Sequence, residues 1–174
     1  MEVIERVKAG IRDVPDFPRK GILFKDITTL LNDPELFRMT MSLFETSTKG
    51  LSLDYIAGIE SRGFIFGSVV AYHLGCGFVP MRKPGKLPAK TYSESYALEY
   101  GTDAIEVHQD SFKKDSNVLI IDDLLATGGT ALAAAKLVEK CGAKVSGIHF
   151  LIELVFLNGA NKLKNYNVMS FIKF

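Results

Sequence analysis

Apolar and polar positions alternate along this chain in two rhythms. Residues 2–9 and 34–48 repeat their apolar positions at helical spacing, "DYIAGI" at 54–59 is a short continuous apolar run expected of a buried strand, and "GFIFGSVVAYHLG" at 63–75 predicts a helix stopped by glycine. "CGFVPM" at 76–81 predicts the next strand. After a polar stretch from Arg82 to Lys90, "TYSESYA" and "AIEVHQ" alternate with period two, the pattern of short exposed antiparallel strands. The first rhythm then resumes, with a strand at 118–121, a helix near 130–140, a strand near 144–152, a short turn or helix around 158–164 and a last strand at "VMSFI". Strand and helix in regular alternation predict an α/β fold, a mainly parallel twisted sheet flanked by helices with right-handed crossovers. The chain contains no internal repeat, low-complexity tract or linker; residues 82–105 form a long polar excursion.

Length and composition fit one globular domain with a real core: 174 residues, 47% of them hydrophobic. A formal net charge of +1 gives no global reason to expect nucleic acid or an anionic membrane as a partner. Cys76 and Cys141 are far apart and lack a CxxC setting, which argues against a disulfide framework or zinc site. His73, His108 and His149 likewise lack metal-ligand spacing. The charged N-terminal stretch "MEVIERVKAGIRDVPDF" is no signal-peptide core, and no run approaches the roughly 20 apolar residues of a membrane span, so the expected location is cytoplasmic.

The chemistry concentrates in "VLIIDDLLATGGT", residues 118–130. Ligands of open α/β sheets gather at the carboxyl ends of strands. Here an apolar strand is expected to end on Asp122 and Asp123, and Gly128 and Gly129 permit positive φ, so that backbone amides from Ala126 through Thr127 to Thr130 line one concavity. The following helix adds its positive dipole end, and the threonines add hydroxyl donors. That cradle suits phosphate. The two carboxylates suit what lies beside a phosphate: vicinal sugar hydroxyls, or magnesium held directly or through water. Together they describe a ribose 5-phosphate site. Neither a P-loop nor a dinucleotide fingerprint is present.

This segment resembles the phosphoribosyl pyrophosphate (PRPP) motif of type I phosphoribosyltransferases. "FPRKGILFKDIT" at 17–28, "GIESRGFIFG" at 58–67 and "RKPGKLPAKTYSESYALEYG" at 82–101 narrow the resemblance to the adenine phosphoribosyltransferases, over about Phe17 to Glu153. The resemblance implies a single domain spanning 1–174, with a small N-terminal hood and base-recognition segment at about 1–33 and a mobile hairpin lid at about 82–105. It implies the conversion of adenine and PRPP into AMP and pyrophosphate with Mg2+, in a homodimer.

It also assigns residues. Glu60, Ser61 and Arg62 would receive pyrophosphate, with a non-proline cis peptide between Glu60 and Ser61, and Arg62 would contact the purine edge. Arg82, Lys83 and Lys86 would neutralise pyrophosphate, Arg82 in the neighbouring subunit's site. Glu99 matches the carboxylate near the attacking purine nitrogen, as proton acceptor or as electrostatic support for the cationic sugar. Tyr100 would line the closed lid, and Tyr96 fits lid lining or hairpin packing equally. Phe24 and Leu124 would sandwich the purine, while the backbone of Leu23 and Lys25 reads its 6-amino side; Lys25 stands where many relatives carry arginine, which puts any side-chain role of that arginine in doubt. A 6-oxopurine enzyme and a non-catalytic PRPP-sensing regulator of the same fold remain as alternatives.

Overall fold

The computed structural model describes residues 2–97 and 101–174, and their contacts divide the chain into two compact units, Met1–Ser47 and Thr48–Phe174.

In the first unit, α1 (Glu2–Ala9) precedes a short antiparallel hairpin of β1 (Arg12–Pro15) and β2 (Leu23–Asp26), followed by α2 (Thr28–Leu31) and α3 (Pro34–Ser47). The hairpin went unseen in the sequence because "RDVP" and "LFKD" are four residues each and mix charge with apolar positions. Its open end is fixed by charge instead. Arg12 donates to Asp26 through Nε at 3.1 Å and Nη2 at 2.5 Å, and Asp26 also accepts from the Thr28 amide at 2.9 Å. That amide, with Arg12, holds the Asp26 carboxyl down at about 2. Asp33 caps α3 by accepting from the amides of Glu35 and Leu36.

The second unit is built on a five-stranded, wholly parallel sheet. Its strands are β3 (Tyr55–Ile59), β4 (Gly77–Met81), β7 (Asn117–Leu125), β8 (Lys144–Glu153) and β9 (Val168–Lys173), in the order β4-β3-β7-β8-β9. Helices α4 (Gly63–Leu74) and α5 (Gly129–Lys140) make crossovers, and two short 3-10 turns, Val155–Leu157 and Gly159–Leu163, follow β8. The core joins Ile120, Ile148 and Phe150 of the sheet to Ala134, Leu137 and Val138 of α5. Among the described residues no helix is long and apolar enough to cross a membrane.

Two expectations change. β7 runs on through Asp122 and Asp123 to Leu125, because β8 continues alongside it, pairing Asp122 with Phe150 and Leu124 with Ile152. The antiparallel hairpin of β5 (Thr91–Ala97) and β6 (Thr102–His108) is not an exposed ribbon: Tyr96, Ile105 and Val107 are buried in the same core as α5. Its polar edge is tied to that helix too, by Lys136 on Glu94 at 3.3 Å and Lys140 over the ring of Tyr92.

Candidate active site

β3 and β7 are parallel neighbours, so their carboxyl ends open at one edge of the sheet. Beyond β3 the Glu60–Ser61 peptide is cis, as the resemblance implies, and α4 begins at Gly63. A Cβ on Gly63 would lie 2.6 Å from the carbonyl oxygen of Ile121 and 3.0 Å from Asp122 Oδ1. Only a residue without a side chain lets the first turn of α4 sit this close to β7. Beyond β7, α5 starts from Gly128, whose φ is 77°, and a Cβ there would collide with the carbonyl of Gly159. Gly129 departs from expectation, since it is already helical; its missing side chain serves close approach, with the carbonyl of Ala97 3.2 Å from where a Cβ would stand. No side chain caps α4 or α5; in α4 the amides of Phe64 and Ile65 donate back to the carbonyls of Ser61 and Arg62, whereas the start of α5 at Thr130, following Ala126 and Thr127, presents its amides with no side-chain cap, an arrangement suited to an anion.

The paired aspartates point to opposite faces of β7, as successive strand residues must. Asp123 is buried and its Oδ2 lies 3.0 Å from Arg62 Nε, an ion pair joining the two loops. That oxygen makes no hydrogen bond among the described residues. Asp122 Oδ1 accepts the amide of Asp123 at 2.9 Å. Burial, then the charge of Asp123, pushes the Asp122 carboxyl well above the usual carboxylate range; burial also raises Asp123, against the pull of Arg62.

The cationic segment after β4 is bound to carboxylates of its own chain. Arg82 exchanges backbone hydrogen bonds with Glu106 and sets Nε and Nη2 on the Glu60 carboxylate at 3.2 and 3.1 Å, while the Lys83 amide donates to Glu60 at 2.8 Å. Arg82 first among its neighbours lowers the Glu60 carboxyl. Lys83 Nζ donates to the Asp103 carboxylate and, at 2.8 Å, to the Tyr96 hydroxyl. Burial works against the Lys83 charge, yet the bonds to Asp103 and Tyr96 raise it on balance. The carbonyl of Lys86 accepts from Arg82 Nη1 at 3.4 Å, and its side chain forms no ion pair among the described residues. Sequence reasoning missed Asp103 and Glu106; the signal was the hairpin itself, whose register sets Asp103 opposite Tyr96.

Leu23, Phe24 and Lys25 lie on β2 of the first unit. Phe24 packs edge-on against Phe17, and the buried Lys25 reaches Asp13 at 2.6 Å. Leu124 belongs to β7, two residues from Asp122 and on its face. Glu99 and Tyr100 lie outside the described residues.

Residues 27–172 match the phosphoribosyl transferase domain family. The adenine phosphoribosyltransferase of Gloeobacter violaceus is 59% identical over 90% of this chain and 92% of its own. The crystal structure of the enzyme of that name from Thermoanaerobacter pseudethanolicus superposes with a TM-score of 0.96 at 53% identity, covering 98% of this chain and 99% of the other. The Saccharomyces cerevisiae adenine phosphoribosyltransferase, complexed with D-DIAB and adenine, gives 0.92 at 41% identity over 98% of both chains. With two loops of the expected form at the carboxyl edge of a parallel sheet and relatives matched along nearly their whole length, the chain belongs to the adenine phosphoribosyltransferases within the phosphoribosyltransferase family.

Proposed function

We propose that the protein transfers the 5-phosphoribosyl group of PRPP to adenine, forming AMP and pyrophosphate in purine salvage. The observation that carries this reading is the junction of the Asp122–Thr130 segment, from the end of β7 to the start of α5, with the Glu60–Arg62 segment through the Arg62–Asp123 ion pair. One segment offers amides and hydroxyls to the 5-phosphate and carboxylates to the ribose hydroxyls; the other offers a second helix N-terminus and an arginine to the pyrophosphate.

A purine nitrogen attacks the ribose C1 as its bond to the pyrophosphate oxygen breaks, and the nitrogen's proton must leave. Glu99 takes that proton or supports the cationic sugar, and Tyr100 serves as a lining residue of the lid. Arg82, Lys83 and Lys86 neutralise the departing pyrophosphate. For adenine, Phe24 and Leu124 supply the stacking faces, and the backbone of Leu23 and Lys25 recognises the 6-amino side; a carbonyl that accepts from an amino group meets a second acceptor in a 6-oxopurine, which disfavours the wrong base strongly.

Among the described residues no group of three or more His, Cys, Asp or Glu side chains is placed to hold a metal ion. Asp122 or Asp123 would hold magnesium directly or through water, and it would supply charge neutralisation to the phosphates. The same reading makes the protein a cytoplasmic homodimer in which Arg82 serves the neighbouring site, a role for which its guanidinium must leave Glu60. Light scattering at the mass of one chain would rule the dimer out.

The test of function offers adenine, hypoxanthine, guanine and orotate together with PRPP and magnesium, and identifies the nucleotide formed. AMP alone is expected. Another nucleotide overturns the base assignment, and PRPP binding without product replaces the enzyme by a PRPP-sensing regulator.

A further inference from the structure

We infer that Asp103, assisted by Tyr96, is a built-in competitor for Lys83, a positioning residue that must be displaced before the lysine engages pyrophosphate and that thereby weakens PRPP binding. The inference rests on the reading of Lys83 as a pyrophosphate contact. Its starting point is that the ammonium is already well served: it donates to the Asp103 carboxylate and to the Tyr96 hydroxyl at 2.8 Å, with Nζ 5.4 Å from the centre of the Tyr96 ring. The holders are themselves fixed. Asp103 accepts the Tyr96 hydroxyl at 3.2 Å and the Ala104 amide at 2.8 Å, and the two residues face each other across the β5–β6 hairpin. Tyr96 is rooted beside the phosphate loop, where its ring and Cβ stand 3.4 and 3.6 Å from the position a Cβ on Gly129 would take.

The backbone of Lys83 is separately anchored through its amide to Glu60, so the side chain can leave Asp103 without the segment moving. A lysine side chain is long and rotatable, and its charge has no fixed fork to preserve. Pyrophosphate presents more negative charge than one carboxylate and wins the ammonium, but only by the difference between the two partners. The ion pair is about one-third exposed on both sides, 38% for Lys83 and 32% for Asp103, which places its worth among modest surface pairs. Removing it is therefore expected to tighten binding by about two- to fivefold. If the lysine instead keeps Asp103 while offering its third N–H to the ligand, removing Asp103 misplaces it and binding weakens. The sign of the change separates the two arrangements.

Calorimetric titration with magnesium pyrophosphate and with PRPP decides it, using the full chain and the variants Asp103→Asn, Tyr96→Phe, Lys83→Ala and Lys83→Ala/Asp103→Asn. Asp103→Asn, close in shape to the native residue, should tighten both ligands and lower KM for PRPP while leaving KM for adenine unmoved. Tyr96→Phe keeps the ring on Gly129 and should act in the same direction by less. In the Lys83→Ala background the Asp103 substitution should have no effect, a result a merely structural role would not produce. Unchanged or weaker binding by Asp103→Asn overturns the inference; if Lys83→Ala still weakens binding in that case, the lysine's own assignment survives. Binding unaffected by Lys83→Ala removes both.

Discussion

Asp123 shows how much a single side chain depends on one partner. Its carboxyl is 4% exposed as a residue and raised by burial, and the chief opposing influence is the Arg62 guanidinium. Truncating one member of a buried pair leaves an uncompensated charge, and the cost is larger than anything the pair contributes net. Arg62 is 36% exposed, so water reclaims part of that cost. Arg62→Gln is thus expected to destabilise the protein by about 1–3 kcal/mol at pH 7. The sign of its pH dependence follows from the direction of the shift. Without Arg62 the folded carboxyl moves further above its unfolded value, a penalty that is full at high pH and relieved as pH falls and the group protonates. Urea denaturation at pH 7 and pH 5 should show the deficit shrinking in acid; a deficit equal at both would mean Arg62 acts through its other contacts. The Asp-Asp-x-x-x-Thr-Gly-Gly-Thr spacing made this site legible. It did not show that Arg62 and Asp123 pair, because the pairing depends on β3 lying beside β7, which no local pattern encodes.

At the scale of elements, the decisive contact is α4 against the end of β7. Replacing Gly63 with alanine favours a helix by at most about 1 kcal/mol. Against this stands a Cβ 2.6 Å from a backbone carbonyl of a strand paired on both sides, which cannot step aside as a flexible side chain would. The clash should win, so Gly63→Ala is expected to lose about 1–3 kcal/mol of stability and to weaken PRPP binding as the first turn of α4 lifts from Asp122. A denaturation midpoint and PRPP affinity at the parent values would show that the approach is looser than this. Helices and sheet strands were readable because their apolar runs are long and end at glycines such as Gly75, whose φ is 67°. The β1–β2 hairpin was not, since ion pairs rather than apolar periodicity hold its open end. The β5–β6 hairpin was readable as two strands but not as a covered face, since period two alone does not reveal what α5 will bury.

For the whole molecule, composition announced a substantial core and the strand–helix alternation announced the parallel sheet, yet neither marks the division after Ser47. Neither does sequence reveal which ionisable groups govern global pH stability. His149 looked like an isolated histidine, but on β8, between β7 and β9, it is 1% exposed and burial lowers it to about 4 from an ordinary 6.5. A histidine lowered on folding is neutral in the native state while the unfolded chain binds its proton. Stability is therefore complete above about pH 6.5 and falls as pH drops toward 4, by about 3 kcal/mol at the limit. Asp122 and Asp123 act in the opposite sense, since their raised carboxyls favour the folded state as they protonate, so the native curve mixes the two. The difference between the native protein and His149→Gln isolates the imidazole. Between pH 7 and pH 4.5 the native protein should lose more stability than the variant, and the His149 ring resonances should show no titration above pH 5. A native-state midpoint near 6.5 in those resonances would mean that water reaches the imidazole, and the acid loss of stability would then have to come from elsewhere in the fold.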